Sequence, residues 1–305
     1  MMFDSTHPYN LPLLPPNIDH SNKMFADLLI EARAEIGELN GYCSSLPNQS
    51  LLLSPAMIIE SLESSRVENI NTTIINVLQN QLVPEIERRN PDKEVLRYRD
   101  SVNVGLDSLK KYSLSNRTIL SVQKTLIPVS GGQYRDVQNG IENTLTKEII
   151  YLPPVFKQVP DLMNNLENYI NGPIEVDPLI GCAISHYQFE AIHPFSDGNG
   201  RVGRILMVLY LVQKNLLNYP VLYISGYINK NKSEYYRLLL DVTKNNNWID
   251  YIAFMLKAFC LQARETKVLL FAIKNLYFES RDMLKGKYKT IYTRDLLDAL
   301  FSYPI

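Results

Sequence analysis

The chain has 305 residues, 46% of them hydrophobic, enough to bury a substantial core as one large domain or as one domain with an appendage. Its 31 basic and 32 acidic residues leave a net charge of −1 with no dominant basic stretch, which argues against nucleic acid as a partner of the chain as it stands. Cys43, Cys182 and Cys260 lack metal-ligand spacing and suit a reducing compartment, and no apolar run or signal-like N-terminus points to a membrane, so a cytoplasmic protein is expected.

Residues 1–20 contain PYNLPLLPPNID, whose prolines disfavour helix and predict an extended strap lying on the body. Helical periods follow at 23–39, 55–64 and 93–112, interrupted by loops such as SSLPNQS, and predict an N-terminal helical region. One of these helices ends in SLESSRVENIN, where Ser64 and Glu68 stand four apart, a spacing common on solvated helix faces. The run GGQYRDVQNGIENTLTKEIIYLPPVF carries an Asn139-Gly140 turn signal and a β-type stretch at 148–152, which predicts a small hairpin in an otherwise helical chain. Tyr134 and Arg135 beside it are as readily structural as functional.

Helices are next predicted near 160–170 and 178–190, and the start of PLIGCAISHYQFEAIHPF is apolar enough for a central buried helix. His186 and Tyr187 in it read as packing residues rather than ligands. The segment HPFSDGNGRVGR, from His193 to Arg204, concentrates the chemistry. Gly198 and Gly200 flank Asn199, and backbone without Cβ can curl so that successive N–H groups converge on an anion. Val202, Ile205, Leu206, Leu209 and Val212 then follow at helical period, so the nest opens a helix N-terminus, whose dipole and unpaired N–H groups favour negative charge.

Arg201 and Arg204, three apart on that helix, are spaced to fork onto phosphate oxygens. Asp197 is a hard oxygen ligand beside the anion site, the way magnesium is usually held, with phosphate and water completing its shell. His193, with an ordinary pKa of about 6.5, is mostly neutral at pH 7 and able to take a proton from an attacking hydroxyl. Phe195 reads as the anchor packing the loop onto the core. Together these residues equip the chain to handle a nucleotide polyphosphate without a Walker loop. A helix at 248–272 and a short amphipathic helix in KTIYTRDLLDALFSYPI complete the chain.

From His193 to Arg204 the sequence resembles the Fic family signature HPFx(D/E)GNGRxxR at every specified position. The resemblance implies an all-α, Fic-type helical bundle with a small β-hairpin flap, preceded by the N-terminal helical region and the Pro-rich strap. It implies an enzyme that transfers a nucleotide moiety, most often AMP from ATP, onto a Ser, Thr or Tyr hydroxyl of a target protein. On that resemblance His193 is the base, Asp197 ligates Mg2+ or Mn2+ at the α and β phosphates, and Gly198, Asn199 and Gly200 hold the α-phosphate. Arg201 then takes the leaving β-phosphate and Arg204 the γ-phosphate.

Ser64, Glu68 and Asn69 fit (S/T)xxxE(G/N), which resembles the family's inhibitory motif. Glu68 would pair with Arg204 where γ-phosphate oxygens bind, and in some relatives the same glutamate supports hydrolytic removal of AMP. The hairpin would lie over the active site and pair with the target backbone by strand addition. Around position 141 the family usually has a bulky residue and a glycine, whereas this chain has Gly140 and Glu142, leaving the register open. The segment YISGYINKNKSEYYRLLLDV resembles the adenine-side segment, with Tyr236 against the base and Thr243 lining the same pocket; half-buried core is the equal alternative for both.

The organisation implied is an N-terminal region at 1–110 with the inhibitory helix, a catalytic core at 111–260, and helices at 261–305 leading to a winged-helix domain that this chain lacks. Partners implied are ATP, a hydroxyl-bearing protein target, the protein itself as a target, and a second copy in a homodimer. A regulatory protein that senses nucleotide on the same scaffold is the alternative from another class, and UTP or phosphocholine donors are alternatives within the enzyme class. Intact His193 and Asp197 favour the transferase, since a sensor needs neither a base nor a metal carboxylate.

Overall fold

A computed structural model describes residues 4–18, 23–142, 146–173 and 176–302. The N-terminal helices are α1 (Lys23–Ser44), α2 (Gln49–Val67), α3 (Ile74–Asn80) and α4 (Asn90–Leu109), followed by α5 (Asn116–Leu126). A two-stranded antiparallel hairpin, β1 (Ile141–Glu142) and β2 (Ile149–Tyr151), separates these from α6 (Val159–Asn171), α7 (Pro178–Ile192) and α8 (Asn199–Gln213). Two shorter helices, α9 (Ser225–Lys230) and α10 (Lys232–Asn245), precede the 40-residue α11 (Trp248–Lys287) and the terminal α12 (Arg294–Ser302).

Local chemistry explains several of these boundaries. Asn48 caps α2 by accepting from the Leu51 N–H at 3.3 Å, and Thr73 caps α3 in the same way through the Asn76 N–H. Asp177 caps α7 by accepting from the Leu179 N–H at 2.8 Å, with Pro178 at the first helical position, where a missing N–H is harmless. α2 stops at Asn69, whose φ of 62° is the left-handed conformation that Asn tolerates best after Gly. The last position of the Ser64–Asn69 motif is therefore a helix terminator.

α7 is apolar on nearly every side and is buried from Leu179 to Phe189, the behaviour of a central helix. α8 packs beside it and is itself buried from Arg201 to Leu211 rather than on one face only. α2 lies against α4, α9 and α11 and also touches α8, which brings residues 64–68 to the start of α8 although they are over 130 positions away. The larger of two hydrophobic clusters runs from Leu11 in the strap to Leu297 in α12, so α1, α2 and α4 share a core with the rest, while Ile58, Leu62, Val77, Val95 and Leu96 join α2, α3 and α4 in a smaller one.

Several sequence expectations are corrected. The helix expected at 55–64 begins at Gln49 and carries Pro55 inside it, because burial of Leu51, Leu52, Leu53 and Ala56 outweighs the local preference against proline. The helix at 23–39 continues to Ser44, carrying Cys43 into the core; that at 93–112 is shifted to Asn90–Leu109; and that at 248–272 extends to Lys287. α3 and α5 lie in stretches for which no helix is expected. The Asn139-Gly140 pair does not turn the hairpin but leads into β1, and Asn139 donates to the Phe195 carbonyl at 3.3 Å, tying the hairpin base to the signature loop. The strands pair Ile141 with Tyr151 and Glu142 with Ile149, with an irregularity between Ile141 and Glu142.

The strap is held at four places. Leu14 exchanges two hydrogen bonds with the Asn165 amide, and the Pro12 carbonyl accepts from Gln188. The Tyr9 N–H donates to the Leu152 carbonyl and its hydroxyl to the Thr243 carbonyl. Residues 1–3 and 19–20 of the expected strap lie outside the described residues.

Candidate active site

The loop from His193 to Gly198 connects the end of α7 to the start of α8. His193 closes α7 in the left-handed conformation (φ 50°), unusual for a residue with a Cβ and a local strain that turns its side chain off the helix. Arg135, 4% exposed, holds this corner: its Nε donates to the His193 carbonyl at 2.9 Å, its backbone N–H to the Pro194 carbonyl at 2.9 Å, and its Nη2 to the Pro154 carbonyl just past β2, at the base of the hairpin. The Arg135 side chain thus has a structural duty, which joins the flap to the loop.

Phe195 is fully buried and packs against Phe189 and Tyr134. Asn199 clasps the loop shut, accepting from the Phe195 N–H at 2.8 Å and donating to the Phe195 carbonyl at 2.7 Å. Its amide group is thereby committed to the loop, and what it offers an anion here is backbone N–H. Gly198 immediately before α8 has φ 82°, a conformation costly for any residue with a Cβ, and the amides of residues 199–201 follow as the first turn of α8, with no intrahelical acceptor.

A carboxylate of the chain's own sits at that turn. Glu68 accepts from Arg204 Nη2 at 2.7 Å, and a Cβ placed on Gly200 would fall 2.4 Å from Glu68 Oε1, so the carboxylate rests directly on the first turn of α8. Arg204, 2% exposed, also donates through Nε to Ser64 Oγ at 2.8 Å and through Nη2 to the Ser64 carbonyl at 2.9 Å. Burial alone would push the Glu68 carboxyl up, but Arg204, with help from Arg201 and Lys232, holds it below its ordinary value and therefore ionised. Burial likewise opposes the charge on Arg204, and Glu68 more than restores it. Asn69 accepts from Lys232 Nζ at 3.1 Å, which pins the end of the motif to α10.

Arg201, 3% exposed, reaches the other way. Its Nη1 donates to Glu94 of α4 at 2.6 Å, while Asp197 lies 3.7 Å from its Nη2. The Asp197 side chain is 67% exposed at the mouth of the site. A single exposed carboxylate beside an anion cradle suits a magnesium ion that draws its other ligands from phosphate and water. Among the described residues no three His, Cys, Asp or Glu side chains are grouped for a protein-only metal site, so the residues present fit only a metal that arrives with a ligand.

Burial pulls the His193 imidazole down to about 4, and the Glu190 carbonyl only partly opposes this, so it is wholly neutral near pH 7 rather than mostly so. Its buried Nδ1 makes no hydrogen bond. Two further carboxyls nearby are driven the other way by burial, Glu60 up to about 7 and Glu190 up to about 8. Glu60 accepts from Tyr98 and from the N–H and hydroxyl of Ser225, which fastens α2 to α4 and α9 one turn before Ser64.

Of the two residues expected on the adenine side, Tyr236 is 44% exposed, and its hydroxyl pKa is raised by burial first and then by Glu68, with Arg204 opposing. Thr243 is engaged elsewhere: its hydroxyl bonds Tyr187 at 2.9 Å and donates to the Leu239 carbonyl, and its carbonyl receives Tyr9. Seven helical residues place it about 10 Å along α10 from Tyr236. His186, bonded through Nε2 to the Tyr235 hydroxyl at 2.7 Å, and Tyr187, against Trp248, are packing residues in the core. Glu94, Glu60 and Lys232 are not singled out by the sequence, because their contacts join positions dozens of residues apart and carry no local spacing.

An all-α bundle thus brings a neutral histidine, a glycine-opened helix N-terminus and two buried arginines together at one place. Residues 113–211 match the Fic/DOC family and residues 26–107 match the Fic/DOC family N-terminal region, and the chain belongs to that family. A Fic family protein from Desulfovibrio desulfuricans G20 has a similar structure, with a TM-score of 0.66 and 25% identity over 82% of this chain and 75% of that one. A probable protein adenylyltransferase of Aquifex aeolicus is 44% identical over 68 residues, 22% of this chain and 21% of that protein. A protein adenylyltransferase Fic of Nematostella vectensis is 25% identical over 198 residues, 59% of this chain and 44% of that protein. The chain thus spans less than half the length of these two curated relatives.

Proposed function

We propose that this protein is an autoinhibited protein adenylyltransferase, moving AMP from ATP to a Ser, Thr or Tyr hydroxyl of a protein target. The observation that carries the reading is the anion cradle at the start of α8, next to neutral His193 and filled by the chain's own Glu68 carboxylate. The adenylyltransferase names of its relatives agree with it.

In the reaction, His193 accepts the proton of the target hydroxyl while the oxygen attacks the α-phosphorus; the bond from that phosphorus to the bridging oxygen breaks and pyrophosphate leaves. The protein's work is positioning and charge neutralisation. The free amides of residues 199–201 face the α-phosphate, Arg201 the β-phosphate and Arg204 the γ-phosphate. Asp197 would hold Mg2+ or Mn2+, which supplies further neutralisation of phosphate charge when bound. Tyr236 lies against the adenine, and Thr243 acts by packing its helix. The exposed Ile141 and Ile149 strands receive the target backbone as an added strand.

In this arrangement Ser64, Glu68 and Asn69 form the inhibitory motif, in the N-terminal region at 1–110, and the catalytic core is at 111–260. The three described cysteines are free and buried, and we assign the protein to the reducing cytoplasm; no described helix is long and apolar enough to cross a membrane.

The test is transfer of label from α-labelled ATP with magnesium, in wild type, Glu68→Gly and Glu68→Gly/His193→Ala, scoring target and self-modification. Label is expected to rise by on the order of 100-fold in Glu68→Gly, the scale of freeing a charge-assisted contact to a buried arginine, and to vanish without His193. Negligible label in all three with ATP still bound would overturn the transferase and favour a nucleotide sensor.

A further inference from the structure

We infer that Glu94 is a positioning residue for this reaction: it grips the Arg201 guanidinium at one end and presents the other end to the leaving phosphate. The inference rests on the nucleotidyl-transfer reading above. It comes from the contrast between the two arginines of the cradle, each of which receives a carboxylate from the N-terminal helices.

A guanidinium can grip two oxygens at once, side-on along the edge formed by Nε and Nη2 or end-on across Nη1 and Nη2. At Arg204 the side-on edge is filled, Nε by Ser64 Oγ and Nη2 by Glu68 and the Ser64 carbonyl. At Arg201 the Glu94 carboxylate takes Nη1, on the far side of the group, at 2.6 Å. Asp197 stands 3.7 Å from Nη2, outside hydrogen-bond distance, and the buried Nε makes no hydrogen bond. Arg201 is nevertheless 3% exposed, so its unmatched donors are not served by bulk solvent. Glu94 occupies one end of the end-on edge and leaves the side-on edge, Nε and Nη2, without a hydrogen-bonded partner for a phosphate to take. Glu68 must therefore leave before a triphosphate can be held at Arg204, whereas Glu94 can stay.

The two glutamates thus act with opposite sign. Loss of Glu68 opens the cradle, and loss of Glu94 removes the carboxylate bonded to Nη1, so that the Arg201 fork swings free with only the more distant, exposed Asp197 as counterion. Because the β-phosphate is the group Arg201 addresses, the loss falls on ATP and spares AMP.

The experiment uses the full chain in the Glu68→Gly background and compares Glu94→Ala with Glu94→Gln by calorimetric titration with ATP and with AMP, alongside label transfer and melting temperature. Glu94→Ala is expected to weaken ATP by about 10- to 100-fold while AMP changes by less than about twofold, and Glu94→Gln, which keeps an acceptor for Nη1, to recover most of the loss. Tighter ATP binding by Glu94→Ala would overturn the inference and make Glu94 a second occluder. Equal loss for ATP and AMP, or no change in either, would also overturn it, the first result assigning Glu94 to the fold alone. If the Glu68→Gly parent itself neither binds ATP nor transfers label, the nucleotidyl-transfer reading fails and the inference falls with it.

Discussion

His193 gathers several opposing demands in one side chain. It ends a helix in a left-handed conformation, its carbonyl is clamped by Arg135, and its imidazole is held neutral by burial. A base is active only when unprotonated, so a group lowered to about 4 stays competent until the medium is strongly acidic. The kcat/KM of Glu68→Gly is accordingly expected to be flat from pH 8 down to about pH 5, with its acid limb near 4 rather than near the ordinary histidine value of about 6.5. A pH profile of label transfer checks this, and an acid limb centred near 6.5 would show that the imidazole is solvated in the working protein. The residues of this loop were legible in the sequence because they are contiguous and their types are chemically specific. Arg135 was named there with its role left open, and Glu94 was not, since its partner is chosen by how helices cross: Arg201 meets Glu94 across 107 positions.

At the scale of elements, the site depends on the two helices that flank the loop, and α7 starts at a side chain with two roles. Asp177 accepts from the Leu179 N–H as the helix cap and also receives Arg33 of α1, at 2.9 Å from Nε and 2.7 Å from Nη2. Asp177→Ala removes both and is expected to destabilise the protein by about 1–2 kcal/mol, whereas Asp177→Asn keeps the cap and loses no more than about 1 kcal/mol, because Arg33 is partly exposed. Denaturant titration of the two variants separates cap from ion pair, and equal losses would assign the effect to charge instead. Helix positions were readable from apolar period wherever one face repeats. They were misjudged where tertiary burial overrides a breaker, as at Pro55, or where a short helix has too few turns to show a period, as in α3.

Over the whole molecule, the N-terminal helices are part of the core and not a removable cover. α1 packs along the 40-residue α11 and is pinned there by Arg264 and Lys267 reaching Glu31, Glu35 and Glu38, while α2 fills the space between α4, α9 and α11. A fragment starting at residue 113 would expose the apolar surfaces these helices cover and is expected to be aggregated or molten, with the near-ultraviolet circular dichroism of fixed aromatic packing lost. A soluble, cooperatively melting fragment would show instead that the core divides. On the proposed reading, relief of inhibition therefore comes from moving Glu68, and the pair it forms with Arg204 has a consequence for the resting population. If parting them costs about 3 kcal/mol, the lower end for a buried ion pair, only about one molecule in 150 is open at a given instant. The apparent dissociation constant for ATP is then raised by that same factor, so an intrinsic 10 μM site would read as about 1.5 mM, within the concentration range of the nucleotide in a cell. A wild-type protein that looks like a poor ATP binder at the bench would then be set where ordinary swings in nucleotide supply change its occupancy.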